Sequence, residues 1–558
     1  MRLAGEEILR RIYVVFQDRN WTARPWHIVD EVIDDRGDSF TIHLSARGTF
    51  DAKRFTWAGT ITGTTDGTVT YEIDGTAGEP FLRNRLGVCV LHPMAGFADR
   101  ECTVTHPDGS TTTSAFPGAI SPHQPFMNVS AMEWPVPGGF ARLDFAGEVF
   151  ETEDHRNWSD ASYKTYCTPI SLPFPVEVQP GDAVRQEITL SLRDVPVEAP
   201  PPLPDGPVDI IVGDDPVPLP SIGVHLTDPA WTDAECADLA TLGLGHVHAD
   251  IDAQSSDAPA RIHDAADRAR RLGTRLFIAL HAQDGADEQL GAVLTEVGDV
   301  LAGVWVFHPD EKVTARATLD AWRSRLGPDL PWGCGSNLYF TELNRQSPDT
   351  TGLDWTTFSV NPQVHAWDDR SVMQNTATLE VIASEVQRLS GTTRVHVGPI
   401  TLKPRFNPNA TDPESDVSST DLPADVDARQ PTAFAAAWAA LTVRSLSAPG
   451  TVGAITIFDD LDSKGLRARD GSPGESGATY PVFDVLAAIS GATRAAPTAS
   501  SRPEEVDALV IDGPSGRRAV VVNLTDSPAQ ARLIGDADAT VTLEPHDVVT
   551  INLPRRNP

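Results

Sequence analysis

Apolar and polar positions follow three different rhythms along this chain. Through residue 195 they alternate in short runs rich in Thr, Val, Phe and Trp. The stretch Phe55 to Ile73, FTWAGTITGTTDGTVTYEI, sets two such runs around Asp66-Gly67. Period-two alternation broken by Asp-Gly is the pattern of antiparallel strands with one face on a core. Val184 to Leu192, VRQEITLSL, alternates in a similar way. Residues 1–195 therefore predict an all-β domain, a large sandwich.

The rhythm stops at residues 196–220, which contain PVEAPPPLPDGP and then DDPVPLP. Proline has a fixed φ and no amide proton, so this density reads as a stiff, extended connector. From 221 to 492 the pattern changes to short apolar runs separated by amphipathic stretches. The predicted strands are Ile222–Leu226, His246–Ile251, Arg275–His281, Gly303–His308, Trp332–Asn337, Trp355–Val360, Val395–Leu402 and Ala454–Phe458. Helices are expected between most of them. The first has Thr232 as N-cap and Glu235 three residues later, a capping box. The second opens near Asp257 and closes at Gly273, and another runs from Ser371 to Leu389 and stops at Gly391. Eight strand–helix units over about 270 residues have the count and length of a (β/α)8 barrel. A doubly wound sheet would carry a glycine-rich first turn, and none is present. After a linker, RAAPTASSRPEE, residues 503–556 return to strands: Ala508–Ile511, Arg518–Asn523, Ala531–Ile534 and Val541–Ile551. A small C-terminal β domain fits that tail.

Composition narrows the function classes. The 558 residues are 40% hydrophobic, with a net charge of -34. A field of that sign repels nucleic acid and anionic lipid, so neither is an expected partner. No apolar run reaches the roughly 20 residues of a membrane span, and the N-terminus has no signal-peptide core. The expectation is a cytoplasmic protein. Five scattered cysteines without CxxC spacing point to buried thiols, neither disulfides nor a thiolate zinc site.

Barrel active sites lie at the C-terminal ends of the strands, where the βα loops converge. Those ends offer His225 and Asp228; His248, Asp250 and Asp252; His281 and Asp284; His308, Asp310 and Glu311. They also offer Asn337, Glu342, Asn344 and Arg345; Asn361, His365 and Asp368; Lys403, Arg405 and Asn407; and Asp459, Asp460 and Asp462. Donors, acids and imidazoles at every strand end suit a small polyhydroxylated ligand. Histidines on the first four strands also raise the question of a divalent metal. His246, which has the two-residue spacing to His248, lies too near its strand's start to share an ion, and no metal ligand or other cofactor is assigned. No GxSxG supports a serine nucleophile, and no glycine loop cradles phosphate.

Several long motifs resemble those of the D-apionate lactonase family. In the N-terminal region these are RNRLGVCVLHPMAGFADREC (Arg83 to Cys102), ISPHQPFMNVSAMEW (Ile120 to Trp134) and EDHRNWSDASYKTYCTP (Glu153 to Pro169). In the barrel they are SNLYFTELNR (Ser336 to Arg345), SVNPQVHAWDD (Ser359 to Asp369) and GPITLKPRFNPNAT (Gly398 to Thr411). The resemblance implies hydrolysis of D-apionolactone to D-apionate in D-apiose catabolism, with a small sugar lactone as the partner molecule. It carries no catalytic assignment, so roles come from chemistry. On the last strand TIFDDLDSKGL places Asp459 where the resemblance suggests a Glu.

Lactone hydrolysis needs an activated water, a stabilised oxyanion and help for the leaving alkoxide. Glu342 or His365 is the expected base, and Arg405 and Asn361 the expected oxyanion partners. Asp459 is expected to orient a partner or act as the acid. His225, His248, Asp250, His308, Asn337 and Asn407 are expected to bind substrate. The segment Glu153 to Tyr166 packs ionisable groups between aromatics without a strand period. It reads either as a buried salt-bridged corner or as a loop adding Asp154, His155 and Arg156 to the site. The rival readings are a glycoside hydrolase, which would need two facing carboxylates such as Glu342 or Asp310 with Asp459, and a non-catalytic sugar- or aldonate-binding protein. Oligomeric state is not legible.

Overall fold

A computed structural model describes residues 1–48, 55–195, 206–228, 230–283, 288–391, 393–407, 409, 422–514, 516–535 and 539–554. Asp284, one of the expected strand-end acids, lies outside the described residues. Two compact units emerge. Among the described residues the first takes 1–156, 161–195, Asn407 and Asn409, and the second takes 157–160, 206–406 and 422–554.

In the first unit, alternation sorts side chains onto two antiparallel sheets. Phe55–Gly63 and Val69–Ala77 form the expected hairpin, with Gly67 at φ 84 in the turn. They lie in a nine-stranded sheet, beside Ala183–Arg193. A six-stranded sheet centres on Phe81–Pro93, and Phe55, Val88, Trp134, Leu143 and Ile188 belong to the shared core. Glu153 to Tyr166 proves to hold parts of two paired strands, Phe150–Asp154 and Ser162–Tyr166, around a 3-10 turn at His155–Trp158. Every residue of Ser162–Tyr166 is buried, so the strand has no polar face and shows no alternation.

The second unit is built on an eight-stranded parallel barrel. Its strands are β1 (Ser221–His225), β2 (His246–Asp252), β3 (Arg275–His281), β4 (Leu301–Phe307), β5 (Gly333–Gly335), β6 (Trp355–Val360), β7 (Arg394–Ile400) and β8 (Val452–Asp459). Their order is β4-β3-β2-β1-β8-β7-β6-β5, and a bridge between Val304 and Trp332 closes the ring. Strand β5 is shorter than its apolar pattern suggests. Gly335 sits at φ 148 with the Thr357 carbonyl only 2.0 Å from where a Cβ would stand, so the backbones approach there as side chains would forbid.

The helices are α1 (Asp233–Ala240), α2 (Ala258–Leu272), α3 (Glu288–Glu296), α4 (Arg316–Leu326), α5 (Phe340–Gln346), α6 (Asp369–Gln374), α7 (Thr376–Ser390), α8 (Ala433–Ser447) and α9 (Pro481–Ile489). Thr232 and Glu235 make both halves of the capping box on α1, and Gly273 closes α2 in the left-handed region. The single helix expected from Ser371 to Leu389 is two, α6 and α7, meeting at Asn375. The Asn375 amide donates to the Pro362 carbonyl and to Asp160, which anchors the junction. Among the described residues no helix is long and apolar enough to cross a membrane.

The expected connector holds more structure than its prolines suggest. Val208–Val212 is a strand, antiparallel to Thr498–Ser500 and parallel to Ala529–Ile534. Its prolines, Pro207 and Pro216, flank VDIIV and leave its amides free to pair. The expected linker RAAPTASSRPEE likewise contributes Arg494–Ala496 and Thr498–Ser500. The single C-terminal strand expected over 541–551 is broken at Pro545 into Ala539–Leu543 and Val548–Leu553.

Candidate active site

The C-terminal ends of β1, β2, β3 and β8 converge on one carboxylate. Asp250 leaves β2 near its end and forms an ion pair with Arg405, from the loop after β7. Around the same carboxylate stand His225 Nε2 at 3.4 Å, His248 Nε2 at 3.4 Å and His281 Nε2 at 3.3 Å. Parallel pairing sets this geometry, because His225 is in register with His248 on β2, and Asp252 with His281 on β3. Arg405 Nη1 also donates to Asn337 Oδ1 at 3.0 Å, and His225 Nδ1 donates to Asp459 Oδ1 at 2.8 Å. Lys464 Nζ lies 3.8 Å from the other Asp459 oxygen.

This hub separates its protons unequally. Burial disfavours a charged His225, but hydrogen bonds and charge from Asp250 and Asp459 outweigh it and raise the ring to about 9. For His248 burial wins over its single carboxylate neighbour and holds the ring down at about 4. Burial also works against an ionised Asp250, yet Arg405 and the three imidazoles hold it well below the usual carboxylate range. The result at neutral pH is one imidazolium, one neutral imidazole and one firmly ionised carboxylate side by side.

A second group forms after β6. His365 Nδ1 donates to Asp160 Oδ2 at 2.6 Å, and the Trp158 ring meets the imidazole edge-on at 5.4 Å. Arg345 lies over Trp158, and the Asn344 amide donates to Asn157 Oδ1 at 3.0 Å. The four residues 157–160 count with the second unit although their sequence neighbours count with the first. Glu342, on α5, is 6% exposed and lies 3.6 Å from Lys312 Nζ. Asn361 is buried, hydrogen-bonds the Tyr339 side chain, and accepts from the Gln363 amide at 3.1 Å.

Of the expected residues, His225, His248, Asp250, Asn337, Arg405 and Asp459 thus share one cluster. Glu342 lies on α5, and Asn361 and His365 follow β6. His308 Nδ1 accepts from the Asp310 amide at 3.2 Å. The remaining expected residues lie in the first unit. Asp154 and Arg156 form a fully buried bidentate pair in the first unit, and Arg156 also donates to the carbonyls of Pro117, Gly118 and Ala119. His155 likewise lies in that unit, 3.1 Å from Glu153. Asn407 belongs to the first unit too, where its amide donates to the Asn20 carbonyl at 2.8 Å. Two residues were missed: Asp160, whose partner is 205 positions away, and His281, read only as a strand-end residue.

Beneath the hub, the barrel interior holds a hydrogen-bonded file. Ser221 Oγ lies 2.9 Å from His246 Nδ1, and Thr456 Oγ1 lies 2.8 Å from Nε2 of both His246 and His396. His396 Nδ1 then meets Thr357 Oγ1 at 2.8 Å. One hydroxyl proton cannot serve two rings, so Thr456 donates to one imidazole and accepts from the other. Burial keeps His246 down at about 3 and His396 well below the ordinary value, so both are neutral.

The family models agree with this architecture. Residues 1–195 match the family model "D-apionate lactonase, N-terminal domain", and residues 221–494 match "D-apionate lactonase, TIM barrel domain". A D-apionate lactonase of Brucella anthropi is 29% identical over 98% of this chain and 92% of its own length. Among solved structures, an α-L-arabinofuranosidase from Thermotoga maritima is 9% identical with a TM-score of 0.44, covering 62% of this chain and 98% of that one. A GH30 endoxylanase from Clostridium papyrosolvens is 11% identical with a TM-score of 0.40, covering 63% and 97%. With both models together spanning most of its length, the chain belongs to the D-apionate lactonase family.

Proposed function

We propose that the chain hydrolyses a sugar lactone at the barrel mouth, with D-apionolactone as substrate and D-apionate as product. The observation that carries this reading is the match, over 98% of the chain, to a D-apionate lactonase. The site chemistry is compatible with it. Of the two bases nominated by the sequence, His365 has the orienting carboxylate: Asp160 accepts from its Nδ1–H and so fixes the orientation of the ring, as a general base requires. The Glu342 carboxylate faces Lys312 instead. Arg405 and Asn361 are the donors for the oxyanion, and His308 and Asn337 contact hydroxyls of the substrate.

The glycosidase alternative needs two carboxylates flanking one bond. Its candidate acid Asp310 is 91% exposed, and Glu311 accepts from the Ala315 amide and Thr318 hydroxyl as a helix cap. These placements weigh toward the ester chemistry. The test is proton release from D-apionolactone by purified protein, corrected for spontaneous hydrolysis and run with and without chelator. His365→Gln and Asp160→Asn should each lose about 10²-fold or more in kcat, and Glu342→Gln should keep most of it. Full activity in His365→Gln with a dead Glu342→Gln would reverse the assignment. An inactive wild type would remove the substrate.

A further inference from the structure

Among the described residues, five polar atoms of the hub are buried without a well-formed hydrogen bond: His225 Nε2, Asp250 Oδ1, both ring nitrogens of His248, and His281 Nε2. They are orphaned together, because Asp250 divides one carboxylate among three imidazoles and Arg405, and each ring stays 3.3–3.4 Å away. Native proteins satisfy nearly all buried polar groups, so orphans concentrated at the end of barrel strands call for a polar ligand atom. His225 differs from its two neighbours. Its Nδ1 is already tied to Asp459, which fixes the ring and directs its remaining proton through Nε2 toward the centre of the hub.

We propose that His225 is the proton donor to the leaving alkoxide of the lactone, and that Asp459 is the positioning residue that holds it. The assignment rests on the lactonase reading above. Water loses a proton to His365 and its oxygen adds to the carbonyl carbon. When the tetrahedral intermediate collapses, the ring C–O bond breaks, the electron pair goes to the ring oxygen, and that oxygen takes the Nε2 proton of His225. The carboxylic acid so formed ionises. Of its proton and the one on His365, one returns to His225 and the other is released. One lactone and one water thus yield one hydroxycarboxylate and one proton. An unprotonated alkoxide is a poor leaving group, which is why a donor is needed at this oxygen. The groups that face His225 fit the role: Asp459 and Asp250 sustain its charge, Lys464 and Arg405 temper those two carboxylates, and the neutral His248 ring lies 5.8 Å away.

A thiolate leaves without protonation, so the decisive comparison is a hydroxylated γ-lactone against its γ-thiolactone counterpart, with the full chain. His225→Gln should lower kcat about 10²- to 10³-fold on the lactone, with KM little changed, and less than about tenfold on the thiolactone. Asp459→Asn should lose less on the lactone and move the alkaline limb of its kcat profile to lower pH. Equal losses on both substrates, or none on either, would overturn the proposal. Because His225→Gln risks misfolding, imidazole nitrogen resonances give a second reading. In the wild type His225 should stay protonated past pH 8, and in Asp459→Asn it should titrate earlier. Titration near the ordinary histidine value in the wild type would sink it. If the wild type hydrolyses neither compound, the lactonase reading fails and takes this one with it. An active wild type with a fully active His225→Gln rejects His225 alone.

Discussion

An imidazole held between two carboxylates keeps its proton longer in the folded chain than in the unfolded one, and that difference has a sign. His225 titrates near 9 when folded, above the ordinary value of about 6.5. Its contribution to stability is therefore complete below about pH 6.5 and is lost as the pH rises through about 9. The unfolding midpoint in urea should fall between pH 7 and 9.5 in the wild type, and less steeply in His225→Gln. Parallel curves for the two proteins would show that the ring gains nothing from its carboxylates. At this scale the sequence was legible where chemistry and position coincide. His225, Asp250, Arg405 and Asp459 were all nominated from strand ends and do meet. Asp160 was illegible, because nothing local in NWSDAS marks a residue whose partner is His365. Asp154 and Arg156 were nominated as separate site residues, and their pairing with each other across two positions was not legible in the sequence.

Among the elements, the barrel strands carry polar residues where an apolar run would be simpler. Thr456 on β8 is the single hydroxyl that His246 of β2 and His396 of β7 share across the barrel interior. Removing it leaves two fully buried imidazole nitrogens with no partner, and each such loss costs about 1–3 kcal/mol. Thr456→Val should therefore destabilise the chain by about 2–5 kcal/mol in urea unfolding, and Thr456→Ser should restore most of that. A Val variant as stable as wild type would mean the rings find other partners. The strand pattern announced β8 but not this file, since both faces of a parallel strand are buried and period-two alternation disappears. Caps were easier to read: Glu235 follows Thr232 by three residues, so the box on α1 is a local feature. The break between α6 and α7 is set by Pro362 and Asp160, which lie outside the helix, and no helical periodicity reveals them.

At the scale of the whole molecule, the second unit is tied together from both ends of its own sequence. Val208–Val212, ahead of the barrel, pairs with Thr498–Ser500 and Ala529–Ile534, beyond it. Val208, Ile210, Val506, Val521, Leu533 and Leu543 then share one small core. Helix α8 is apolar on nearly every side for a related reason. It packs against β8 of the barrel on one side and against Val506–Gly513 on another, so it has little solvent face to make polar. Reading the tail as a separate domain followed from its composition, because composition registers where strands begin and is blind to their partners. The two readings differ in a test. If the tail were independent, a chain ending at residue 493 would keep a folded barrel. The pairing above argues otherwise, since that cut leaves Val208–Val212 without either neighbour and uncovers one flank of α8. Burial of apolar surface stabilises by about 25 cal/mol per Å², so exposing a helix flank and a strand face removes several kcal/mol from a unit whose net stability is of that order. The truncated protein should be insoluble, or should unfold at least 10 °C below the full chain with the barrel signals lost at the same temperature. A soluble chain of residues 1–493 with an unchanged melting temperature would show that the barrel stands without its tail.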